Sequence, residues 1–184
     1  MVNQEIQSPY KRGGDDGLTF GAYLAVMFFS GIFSQYIPGA NLVSSLMMLG
    51  VPAVTYFYLR RYFIKERGRL TVSALWMHGI VTFACGSLLA AFLMFIYMRW
   101  IEPDYLHRVW TMFVDVMAQS DDPGMQEIVR VSRETEAHKV QPVTPIIFSI
   151  TTIMLAILSG SVLSLIIGVI VKAMGLPKTK SNTI

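Results

Sequence analysis

The sequence predicts an all-α, polytopic membrane protein: four transmembrane helices, with an extracytoplasmic amphipathic helical hairpin between helices 3 and 4. Three observations predict it. Of 184 residues, 53% are hydrophobic and 15% charged, and the mean hydropathy is +0.50; a soluble domain carries roughly a quarter charged residues. Thr71 to Met98 is a run of 28 residues without Lys, Arg, Asp or Glu. At ~1.5 Å per residue it reaches ~42 Å as a helix, beyond the ~30 Å hydrocarbon core of a bilayer. Finally, basic residues precede this run and close the chain, whereas acidic ones crowd the segment after it.

Residues 1–17 read as a polar cytoplasmic tail, with Gly13-Gly14 and Gly17 as breakers. Glu5, Asp15 and Asp16 do not suit a cleavable signal peptide, so targeting falls to the first span. The membrane domain is expected over 18–173. Its spans are 18–37, then 42–59 beyond the turn Pro38-Gly39-Ala40-Asn41, then 71–101 and 143–171, before a cytoplasmic tail at 174–184. Pro52 removes a backbone hydrogen bond from the second span and predicts a kink near Met48. Tyr56, Phe57 and Tyr58 form an aromatic belt at its end, and Trp100 anchors the end of the third.

Lys and Arg number 2 in the N-terminal tail, 0 in the first turn, 5 in 60–69 and 3 in 172–184; segment 99–142 has 5 against 8 acids. The positive-inside rule then makes both termini and 60–69 cytoplasmic and 102–142 external. The location expected is a bacterial inner membrane.

Within 102–142, Pro103 suits a first helical position. Tyr105, Leu106, Val109, Trp110, Phe113, Val116 and Met117 recur at helical spacing, and Asp121-Asp122-Pro123-Gly124 breaks that helix and caps another. Its apolar face either lies on the bilayer and bundle or docks a partner.

Tyr97 leads into Ile101-Glu102-Pro103-Asp104-Tyr105-Leu106, followed later by Thr144-Pro145-Ile146-Ile147-Phe148-Ser149 and Leu163-Ser164-Leu165-Ile166-Ile167-Gly168. In these residues the chain resembles an uncharacterised four-helix membrane family of Bacteroidota, domain of unknown function 4199. The resemblance implies four spans and an extracytoplasmic helical segment. It also implies a partner, a polyprenyl-phosphate-type glycosyltransferase, and supplies no catalytic residues.

Chemistry has few footholds in the sequence. Apart from Arg99 at the interfacial end of the third, the four expected spans contain no Asp, Glu, Lys or Arg, which removes the usual mark of a proton relay. His78 is the titratable residue within them: a packing or interfacial histidine on one reading, a pH-responsive group on the other. Cys85 reads as a small buried hydrophobe, and His107 and His138 lack metal-ligand spacing. No catalytic residue, cofactor or metal is expected. Glu102, Pro103, Asp104 and Tyr105 form a helix junction whose acids either offset a helix dipole or bind a cation, with Asp104 placed to pair with Arg108. Arg60, Arg61, Lys65, Arg67 and Arg69 are orientation determinants that can contact anionic lipid or a partner. Nucleic acid is not expected, for no binding module is present. Thr152, Ala156, Gly160, Ser164 and Gly168 repeat small residues at i, i+4, a ridge for close helix packing within the bundle or against another subunit.

The function expected is therefore a non-catalytic inner-membrane anchor or accessory subunit of a membrane-associated enzyme. A small oligomeric transporter or pore is the alternative.

Overall fold

The computed structural model describes residues 8–34, 36–37, 39–137 and 143–176. Among these, every regular element is helical: α1 (Pro9–Phe33), α2 (Ala40–Lys65), α3 (Val72–Ile96) running into a π-helical turn (Tyr97–Ile101), α4 (Tyr105–Ala118), α5 (Pro123–Ala137) and α6 (Pro145–Met174). Among the described residues, four helical stretches are long and apolar enough to cross a membrane: Pro9–Phe33, Ala40–Lys65, Val72–Ile101 and Pro145–Met174. The chain divides into two compact units, Met1–Ala90 with Ile153–Ile184, and Ala91–Thr152.

The first helix departs most from expectation. It begins at Pro9, not Leu18, so half of the anticipated tail is helical. Pro9 suits this start, because its missing N–H costs nothing in the first turn. The glycines expected to break the chain lie inside α1. A Cβ on Gly13 would sit 2.9 Å from the His78 carbonyl, on Gly17 2.6 Å from Cys85 Cβ, and on Gly21 2.9 Å from the Gly86 carbonyl. These pairs ascend together, so α1 and α3 run parallel with their backbones nearly touching. Lipid gives helices no hydrophobic reason to associate, and close packing along small residues supplies the attraction instead.

Against α2 the first helix runs antiparallel. The hydroxyls of Thr19 and Tyr58 lie 2.8 Å apart, Tyr23 donates to the Met47 carbonyl, and Ser44 donates to the Met27 carbonyl at 3.1 Å. Gly39, at φ +91°, turns the chain into α2 from the left-handed region that glycine adopts without strain. Helix α2 then continues through Lys65, which places Arg60, Arg61 and Lys65 on a helix and not in a loop.

The small-residue ridge of α6 meets α3. A Cβ on Gly160 would fall 2.2 Å from the Phe83 ring, and one on Gly79 would fall 2.2 Å from Ser164 Oγ. A Cβ on Gly168 would lie 3.5 Å from Leu75 Cβ. The register descends, so these helices are antiparallel. At one end of the unit Leu59, Tyr62, Phe63, Leu70, Leu75, Ile167 and Val171 form a buried apolar cluster. This end gathers the start of α1, the α2–α3 turn and the end of α6.

The second unit is built differently. The π turn closes with Glu102 N–H donating to the Tyr97 carbonyl at 2.9 Å. Helix α4 starts at Tyr105 with Asp104 as its N-cap residue, so Pro103 precedes the helix instead of opening it. Asp122 caps α5: its Oδ1 accepts from the N–H of Gly124 at 2.7 Å and of Met125 at 3.3 Å. Gln126 reaches back to the carbonyls of Ala118 and Ser120, fixing the short connection. Of the anticipated apolar face of α4, Leu106 is buried but Val109, Phe113 and Val116 are exposed, and Val114, outside that face, is buried. His138 and Pro142 lie outside the described residues, as do Lys178 and Lys180.

Candidate functional site

Because α1 starts early, it takes in Lys11, Arg12, Asp15 and Asp16, which a charge-free first span excluded, and two of these, Arg12 and Asp16, are buried. Arg12 and Asp16 are one turn apart on the face pressed against α3, and Arg12 Nε donates to Asp16 Oδ2 at 3.2 Å. Opposite, on α3, His78 Nε2 lies 3.4 Å from the same Oδ2. Burial is nearly complete: His78 is 0% exposed, Asp16 6% and Arg12 9%. From α2, Tyr62 stacks its ring on the imidazole, centroids 4.7 Å apart and planes inclined by 30°. Arg61 adds positive charge to the electrostatic environment of Asp16. The Thr82 hydroxyl reaches the carbonyls of His78 at 2.9 Å and Gly13 at 3.4 Å, tying the helices at this level.

Two helices, α1 and α3, therefore meet at one carboxylate oxygen, and α2 covers the imidazole with Tyr62. Charged groups buried this deeply persist only when paired, because isolated burial costs far more than an ion pair loses. The arrangement can hold charge, exchange a proton and clasp α1 to α3. It has no nucleophile poised beside a base, and no group of three His, Cys, Asp or Glu able to hold a metal occurs among the described residues.

The other sequence-selected residues separate into different places. Arg60 is committed to the end of α6, donating to the Gly175 carbonyl and at 3.5 Å to that of Val171. Lys172 donates to the Leu70 carbonyl at 2.8 Å, and both cations lie over the Phe63 ring. Cations at a helix C-terminus satisfy carbonyls that have no partner within the helix. Arg61, Lys65, Arg67 and Arg69 remain exposed at the same end. A surface cleft lies among Tyr56, Phe57, Arg60, Arg61, Ile64 and Lys65. Cys85 is half-buried with its Cβ towards Gly17. Of the ridge, Gly160, Ser164 and Gly168 form the α3 seam; Ala156 lies along the same helix, and Thr152 bonds its own helix at the Phe148 carbonyl.

In the second unit, Glu102 is the centre of a separate cluster. It accepts from the Tyr97 hydroxyl and from Arg108. Asp104, expected to pair with Arg108 and cap α4, makes no side-chain capping bond. The Tyr97 hydroxyl, helped by Arg108, holds the Glu102 carboxyl below the usual carboxylate range despite burial. A lowered folded-state value gives stability that is full above the unfolded value and lost as pH falls through the folded one. Wild type should accordingly lose melting temperature below about pH 4.5 more steeply than Glu102→Gln, as measured by pH-dependent thermal unfolding. Identical slopes for the two proteins would remove the carboxylate from this role.

Sequence reasoning missed Arg12, Asp16 and Tyr62. The available signal was Ser8-Pro9, an N-terminal helix signature, followed by Gly13, Gly17 and Gly21 at i, i+4.

Four membrane-length apolar helices and a buried ionic cluster between them define a multi-pass helical membrane protein. The family model described as a protein of unknown function (DUF4199) matches residues 15–173, and the chain belongs to that family. No curated protein and no solved structure matches the chain.

Proposed function

We propose that this is a non-catalytic, multi-pass inner-membrane protein that anchors or assists a membrane-associated enzyme, most concretely a polyprenyl-phosphate glycosyltransferase. The observation that carries the reading is the charged end of the first unit. Arg60 closes the end of α6 there and Lys172 ties down the α2–α3 connection, whereas Arg61, Lys65, Arg67 and Arg69 are exposed. Exposed cations beside apolar helices suit anionic head groups and an acidic protein surface. The positive-inside rule places this end, with both termini, in the cytoplasm. On a Cys85→Ser background, Lys65→Cys should resist an impermeant thiol reagent added to intact cells; labelling from outside would invert the orientation.

Purification of the full chain in mild detergent tests the function. A stoichiometric membrane enzyme should co-purify and should be lost on Arg67→Glu with Arg69→Glu. A homo-oligomer that comes down alone and makes liposomes permeable would instead support a small transporter or pore. That second reading is favoured by one specific observation, the buried Arg12–Asp16–His78 cluster within the spans, since ionisable residues at such depth commonly line ion or proton paths.

A further inference from the structure

We propose that the first unit contains a proton-binding site in which His78, enclosed by α1, α2 and α3, takes up and releases one proton against Asp16 as fixed counter-ion. The inference does not depend on the identity of any partner enzyme.

The donor set has an unusual economy. Arg12 Nε and His78 Nε2 address the same oxygen, Asp16 Oδ2, at 3.2 and 3.4 Å. Arg12 and Asp16 alone would complete an ion pair within α1. The imidazole adds a third titratable group to a carboxylate already paired, and it does so from another helix. Neither ring nitrogen of His78 has a hydrogen-bond partner among the described residues; Nε2 makes only the 3.4 Å ion-pair contact with Asp16 Oδ2. A neutral imidazole carries one N–H and one lone pair. With the N–H at Nε2 towards the carboxylate, the lone pair lies on Nδ1, and the incoming proton adds there. It comes from hydronium or a buffer acid, no existing bond breaks, and the site gains one positive charge.

Opposing influences of comparable kind surround that nitrogen. Burial disfavours the imidazolium, while the Asp16 carboxylate and the stacked face of Tyr62 favour it. Arg12 on α1 opposes it by like charge, while Arg61 on α2 bears on the same Asp16 carboxylate and Glu66 on Tyr62. The α6 seam, from Gly160 to Val171, brings no titratable side chain. Asp16 and Arg12 retain a little exposure and give the proton its way in. When the imidazole is neutral, Asp16 belongs mainly to Arg12 within its own helix. Once charged, it bridges two cations across α1 and α3. Proton uptake thus changes an intrahelical pair into an interhelical clasp.

Nuclear magnetic resonance of the full chain with ¹⁵N-histidine tests the proposal. His107→Gln with His138→Gln leaves His78 as the sole imidazole. In detergent micelles, the His78 ring nitrogens should move through a one-proton step as pH is varied across the range in which the protein stays folded. Arg12→Gln and Asp16→Asn should displace its midpoint in opposite senses, because they remove charges of opposite sign. Ring resonances that stay fixed across this range in folded protein would overturn the site. A titration that neither substitution displaces would equally remove Asp16 as counter-ion. The first measurement alters no residue of the cluster, so misfolding of a cluster variant leaves it decisive.

Discussion

Gly160→Ile should destabilise the detergent-solubilised protein by about 3 kcal/mol, the upper part of the range for inserting bulk into a packed interior. The first atom added already collides, for a Cβ there would stand 2.2, 2.4 and 2.7 Å from three atoms of the Phe83 ring. That ring cannot simply step aside. It is buried and meets Phe20 of α1 edge-on, with centroids 4.8 Å apart. Relief therefore requires α6 to move off α3 or Phe83 to displace α1. Unfolding by a denaturing detergent, followed by circular dichroism, measures the loss. A change below about 0.5 kcal/mol, the level of an inert surface substitution, would mean that the seam does not hold the bundle. The neighbouring step supplies an internal control. Gly79→Ala alone drives a Cβ to 2.4 Å from Ser164 Cβ, but with Ser164→Gly the nearest remaining Ser164 atom is the Cα at 3.6 Å. The double variant should regain most of what Gly79→Ala loses, giving a coupling energy of opposite sign to the single effects.

Asp16→Ala should cost about 3 kcal/mol, near the lower end for breaking a buried ion pair because Arg12 is close enough to the surface to regain some water. The loss comes mainly from the partners left behind, a guanidinium and an imidazole facing an apolar void. Adding Arg12→Ala should therefore cost less than it does in the wild-type background. The same unfolding titration on the two single variants and the double variant reads the coupling. Strict additivity would show that Arg12 and Asp16 do not act as a pair. A loss in Asp16→Ala equal to that in Asp15→Ala, the exposed neighbour, would remove Asp16 from the interior altogether.

The spans were legible because a helix in lipid must satisfy its backbone within itself, and long uncharged runs leave no other solution. Val72–Ile101 and Pro145–Met174 accordingly fall within three residues of the expected 71–101 and 143–171. The first span was read short because charge was used as its boundary. Arg12 and Asp16 neutralise each other one turn apart, and their cost disappears only once His78 and Tyr62 of other helices are seen beside them. A search for uncharged runs cannot register such a pair. The junction at Glu102 misled for a similar reason. Spacing made Asp104 the partner of Arg108, but the π turn shifts the chain and delivers Glu102 in its place. The ridge on α6 could be read directly, since small residues at i, i+4 need no knowledge of what they meet. What they meet, Phe83 and Gly79, is information of the fold.

The fastening of the bundle's charged end also sets an order of events during synthesis. Arg60 waits for the carbonyl of Gly175, 115 residues downstream, and the Leu70 carbonyl waits for Lys172, 102 residues downstream. A ribosome that has released only the first three spans leaves Gly79 and Phe83 facing lipid and Arg60 without the helix end it closes. Helix α6, made after every helix it fastens, is thus the keystone of the first unit.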